Sequence, residues 1–149
     1  MLTCARICLL ALLLGASLRA TAGQPLMFIT EAYPPYNFSD DNILRGIAVD
    51  LLVIASLNTE QPVQRGQIRL MPWARAYRTV LNTPNSVLFA TTRTAEREHL
   101  FKWAGPIPAT RVVLLARKAD QIRIQSAADL QRYRIGVIHE DIGEQSVLA

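Results

Sequence analysis

Short apolar runs alternate along this chain with stretches whose apolar residues recur at helical spacing. "PLMFIT" (Pro25 to Thr30) reads as a buried strand, and "EAYPPYNF" after it as a loop that Pro34 and Pro35 hold extended. Asp40, Asp41 and Asn42 supply turn chemistry. "GIAVDLLVIASLNTE" is apolar on nearly every face except at Asp50, which predicts a buried helix from Ile47 to Leu57. "QIRLMPW" alternates and then meets Pro72, giving a second strand over Gln67 to Met71 and a helix from Trp73 to Leu81 with the proline in its first turn. "NTPNS" is a loop and "VLFAT" a third strand. "AEREHLF" predicts a short helix with Thr94 as its N-cap.

The remainder is patterned less regularly. "FKWAGPI" extends and breaks at Pro106 and Pro108, "TRVVLLARK" is a long extended run, and "SAADLQRY" a short helix capped by Ser126. "RIGVI" reads as another strand, and "EDIGEQSVLA" begins one more helix. Strands alternating with helices predict an α/β fold with an open, mostly parallel sheet flanked by helices. In such sheets ligands sit outside the carboxyl ends of the strands. The loops "EAYPPYNF", "MPWAR" and "TTRTAER" fall at that edge.

Residues 1–22 change the picture, because they carry the three parts of a secretory leader. Arg6 makes the n-region positive, Ile7 to Leu14 is a short apolar h-region, and Ala20-Thr21-Ala22 is a small-x-small cleavage site. That run is too short for a spanning helix of about 20 residues. The expected location is therefore periplasmic. Cys4 and Cys8, the two cysteines of the chain, fall inside the leader, so the exported part has no thiol for a disulfide, a metal or a nucleophile. Without the leader, 14 lysines and arginines face 12 acids and no basic tract is present, which argues against nucleic acid as a partner.

His99 and His139 stand alone, with no pair at metal spacing, and there is no nucleophile elbow, Walker loop or dinucleotide fingerprint. Neither a cofactor nor enzymatic chemistry is expected. Attention falls instead on "VLFATTRTAEREHLFKWAGPI" (Val87 to Ile107), where an apolar run ends in Thr91, Thr92 and Thr94 with Arg93 and Arg97 beside them. This is either the mouth of a parallel strand that holds an anion or a capped helix with a solvated charge face. In the second case Arg97 pairs with Glu96 or Glu98; Arg93 is read that way in any case. Asp50 is read as structural, since one carboxylate without a partner is poor material for acid–base chemistry.

The ordered set "FITEAYPPYNF", "RGIAVDLLVIA", "TRTAERE", "FKWAGPI" and "SAADLQRYRIGVIHED" resembles the type II periplasmic solute-binding proteins, in particular the family 3 group that serves polar amino-acid ABC importers. The match runs along essentially the whole chain after the leader. It implies a protein of two lobes that closes on a solute, with lobe 1 over residues 23–112 and residues 113–149 holding the crossover and the start of an incomplete, truncated lobe 2. From about residue 113 onward, the chain should then be poorly ordered or expose apolar surface. The implied partners are a small-molecule solute and an inner-membrane ABC permease, with the chain itself a monomer.

The resemblance assigns Arg97 to the ligand carboxylate, Thr92 to a hydroxyl donor beside it, and Tyr33 to an aromatic wall, with Tyr36 next to it. "MPWARAY" is a local feature that would bring Trp73 or Arg75 into the same cleft. A guanidinium offers paired N–H groups to a carboxylate, and a helix N-terminus would add its free amides. Ala90 stands where amino-acid binders often place a second small polar donor, and "HEDIGE" where many carry a Gly-Thr-Thr type turn. The expected ligand class therefore includes related carboxylates as well as amino acids. Two other roles are open to such a lobe: a ligand-sensing module of a signalling protein, or a periplasmic prephenate or arogenate dehydratase on the same fold.

Overall fold

The computed structural model describes residues 24–148, and the leader expected over residues 1–22 lies outside them. Strand β1 (Met27–Thr30) is the centre of a three-stranded parallel sheet, flanked by β4 (Arg69–Leu70) and β5 (Ser86–Leu88). Ile29 lies level with Arg69 on one side and with Leu88 on the other. Parallel neighbours need long crossovers, and helices supply them. Helix α1 (Ile47–Ser56) lies between β1 and β4 in sequence, and α2 (Trp73–Asn82) between β4 and β5. The mixed α/β class expected from the alternating pattern is therefore present, as a small sheet flanked by helices.

The loop after β1 hides an element that the pattern did not separate. Phe38–Asp40 (β2) and Ile43–Arg45 (β3) form an antiparallel hairpin, with Asp41 and Asn42 at φ 48° and 61°. Two left-handed residues are what a tight hairpin turn requires, and Asp and Asn tolerate that region. The hairpin delivers the chain to Gly46, whose φ of 124° suits glycine. A Cβ there would stand 2.2 Å from the Tyr36 carbonyl oxygen. That close approach lets the Ile47 and Ala48 amides donate to the carbonyls of Pro35 and Tyr36, so the first amides of α1 are matched by the loop.

Helix α2 follows its pattern closely. Trp73 and Ala76 are buried, Tyr77 and Val80 half-buried, and Arg75 and Arg78 exposed, which is one apolar stripe at helical spacing. Helix α1 does not follow its pattern. Ala48, Val49 and Ser56 are buried, whereas Ile47, Leu51 and Ile54 are exposed. A three-stranded sheet covers only one face of a helix, so the expectation of a buried helix is corrected to a half-buried one. Val49, Val63 and Ile68 form the core on that side, with Phe28, Leu44, Leu52 and Phe89 against them. Asp50 on the outer face pairs with Arg65 at 2.5 Å, in keeping with a structural role.

Three other expectations change. The third strand ends at Leu88, because Ala90 adopts φ 58° and turns the chain off the sheet. Residues 95–100 form turns instead of the expected helix: Arg97, Glu98 and Leu100 donate to carbonyls three residues back. So short a segment gains too little to nucleate a helix. "VVLLARK" and "RIGVI" join no ladder among the described residues, and a lone extended run leaves its backbone to solvent. Ala127–Arg132 is a 3-10 helix with Ser126 and Asp129 in a capping box, and Ile142–Leu148 is a helix, α3. No helix of the described residues is long and apolar enough to cross a membrane.

Candidate functional site

The turns after β5 carry Arg97 inward, and it is fully buried. Its amide donates to the Thr94 carbonyl and hydroxyl, at 3.2 and 3.4 Å. Thr94 thus organises the segment as expected, but around a turn. At the far end of the side chain, Nη1 donates to the Thr92 carbonyl at 3.1 Å and Nη2 to the Glu140 carbonyl at 2.7 Å. Helix α2 supplies the roof: the guanidinium carbon lies 5.0 Å from the Trp73 ring centroid and 5.2 Å from that of Tyr77. Those two rings stack on each other at 5.5 Å. A buried cation over aromatic faces is attracted by their negative π-clouds, and the effect grows once water is excluded.

Both protein acceptors of the Arg97 guanidinium are neutral carbonyls. No carboxylate lies within ion-pair distance of it among the described residues. Its Nε–H has no acceptor there, and neither has the indole N–H of buried Trp73. An unmatched buried donor costs about 1–3 kcal/mol. The solvated alternative for Arg97 is thereby displaced. Glu98 pairs with Arg93 instead, through Arg93 Nε at 2.6 Å and a second contact from Nη2. Arg93 also lies 5.7 Å from the Trp103 ring, so it takes the charge-face role expected of it.

Two acids interact here from different elements, Glu31 with both Arg97 and Asp141. Glu31 leaves the carboxyl end of β1, and Asp141 precedes α3. Partial burial pushes the Glu31 carboxyl up to about 7, the Asp141 charge adds to that, and Arg97 opposes it. Glu140 adopts a left-handed backbone, φ 63°. Its amide donates to a Glu144 carboxylate oxygen at 2.7 Å, and its own carboxylate lies 3.5 Å from Arg78 Nε. The bond from the Glu140 amide is also the main reason the Glu144 carboxyl sits below the usual range. The turn at residues 139–144 is therefore tied to Arg97 in the loop after β5 and to Arg78 on α2.

Of the residues singled out in the sequence, the structure brings Arg97, Thr92 and Trp73 together. Thr92 meets Arg97 through its backbone carbonyl, a contact its side chain does not specify; the hydroxyl role expected of it is toward a ligand. Tyr33 and Tyr36 stack at 5.8 Å in the loop after β1, with Tyr33 half exposed. They share the carboxyl edge of the sheet but make no described contact with the guanidinium. Arg75 lies on the exposed side of α2 and is not brought in. Tyr77, Glu31, Arg78, Glu140 and Asp141 were not anticipated. Tyr77 had a readable signal, four residues after Trp73 on one helix face, and Glu31 had another, directly after a buried strand.

Glu31, Glu140 and Asp141 are acids without a histidine or thiol among them. Among the described residues no group of three metal-ligating side chains is arranged to hold an ion. The arrangement offers a recessed cation, two unmatched N–H donors and a carboxyl that titrates near neutrality. Comparison with protein-family models, with curated proteins and with solved structures gives no match.

Proposed function

We propose that this chain is the solute-binding component of an ABC importer, acting in the periplasm. Its described residues would hold most of lobe 1 of a type II periplasmic-binding fold. The ligand is a small polar solute, an amino acid or related carboxylate, received in a cleft at the carboxyl edge of the sheet. The observation that carries this reading is the fully buried Arg97, with no ionic partner among the described residues and roofed by Trp73 and Tyr77. A buried charge is retained against its desolvation cost only where something compensates it. A carboxylate entering there exchanges water for a charge-assisted fork.

A thermal-shift screen of the protein against amino acids and small carboxylates tests this, with Arg97→Ala beside the wild type. Ligands that bind only the folded state raise the melting temperature by mass action. One solute class should stabilise the wild type, and Arg97→Ala should weaken its binding by tenfold or more. No shift with any solute, or a shift that survives the substitution, would overturn the proposal.

Glu31 favours one second reading, a dehydratase on the same fold. A carboxyl poised near 7 beside a carboxylate grip is suited to donate a proton to a leaving hydroxyl. Turnover of prephenate or arogenate, lost in Glu31→Gln with binding retained, would select this reading over transport.

A further inference from the structure

Two donors in the site are buried and unmatched, and they are neighbours. Arg97 is fully buried with a free Nε–H, and Trp73, 4% exposed, has a free indole N–H among the described residues. The guanidinium carbon is 5.0 Å from the Trp73 ring centroid, so the two unmatched donors belong to side chains in direct contact. Buried donors in folded proteins are nearly always matched. Neither group can accept, so a ligand that satisfies both must offer acceptors alone. A carboxylate does so with two oxygens and adds charge to the bond with arginine.

The surrounding charges narrow the class further. Glu31 in the loop after β1 interacts electrostatically with Arg97 and with Asp141 from the turn before α3, and the Arg78 charge from α2 is already engaged by Glu140. A second negative charge on the ligand would face these acids in a partly desolvated cleft, where like charges repel more strongly than in water. We infer that the Trp73 indole N–H and the Arg97 Nε–H jointly receive one carboxylate of a monoanionic ligand, which makes Trp73 a recognition residue and not only an aromatic roof. This rests on the anion-binding reading of Arg97.

The chain has two tryptophans, and the second is a built-in control. Trp103 already donates its indole N–H to the Glu98 carbonyl at 3.3 Å. With nitrogen-15-labelled protein and acetate as the probe, the Trp73 indole proton should move downfield and saturate while that of Trp103 stays in place. Trp73→Phe keeps a stacking ring but no donor, and should bind acetate about tenfold more weakly. Malonate at pH 8, as a dianion, should bind less tightly than acetate.

Acetate that perturbs the Arg97 Nε–H signal but leaves the Trp73 indole still would overturn this inference alone, as would tighter binding of malonate. If Trp73→Phe fails to fold, the wild-type indole shift decides the question. Acetate that perturbs neither Arg97 nor Trp73 at any concentration would remove the inference and the proposed grip together.

Discussion

Residues 24–103 and residues 104–148 are built on opposite terms. Every strand and every buried residue of the described chain lies in the first region, from Ile29 at the sheet centre to Arg97 at the site. In the second region no residue is buried, and Val113 and Leu115 are 61% and 92% exposed. Yet the second region has apolar runs of its own in "RVVLL" and "RIGVI". Hydrophobicity alone does not make a core, because an apolar strand must find a partner ladder and a covering face. The first region obtains both from βαβ crossovers. The second is tied to it chiefly by polar contacts at Glu140, to Arg97 and Arg78.

The strongest way to break the contrast is to disable the first region at its tightest point. Gly46→Ala sets a Cβ against the Tyr36 carbonyl at a φ that alanine rarely adopts. It should cost about 3 kcal/mol or more in urea unfolding. A near-neutral result would mean that the hairpin and α1 are not rigidly joined.

A matched pair sharpens the comparison at smaller scale. Val49→Ala opens the core beneath α1 and should cost about 2 kcal/mol. Leu115→Ser replaces a side chain 92% exposed and should change stability by less than about 0.5 kcal/mol. If the serine variant loses as much as the alanine variant, residues 104–148 are covered in solution by something the fold of this chain does not supply.

The smallest effect is the pH dependence at the junction. Glu31 has a folded-state pKa of about 7, raised from 4.5 chiefly by burial and then by Asp141. Between those values the folded state binds more protons than the unfolded one, so stability falls as pH rises from about 4.5 to 7 and levels off above. Glu31 is only partly buried, so the slope is shallow. Melting temperatures from pH 5 to 8 should show it in the wild type, and Glu31→Gln should flatten it.

The sequence by itself determined the alternation of strands and helices, the start of α2 after Pro72, the turn at Asp40 to Asn42, and the candidacy of Arg97. The first three rest on local chemistry: the side-chain period, a fixed proline φ, and residues that tolerate left-handed backbone; the candidacy of Arg97 rests on the resemblance carried by "TRTAERE". Only the tertiary structure decided which apolar stretches acquire partners, and so why Ile54 is exposed while Val49 is not. It also decided that the Thr92 carbonyl meets Arg97, and that Glu31 and Glu140 meet an arginine 66 and 43 residues away in the chain. No local pattern encodes such meetings, because they depend on where the crossovers set the strand ends. That is also why Arg97 is a buried cation over two aromatic rings, although its own segment reads equally well as a capped helix with a solvated charge face.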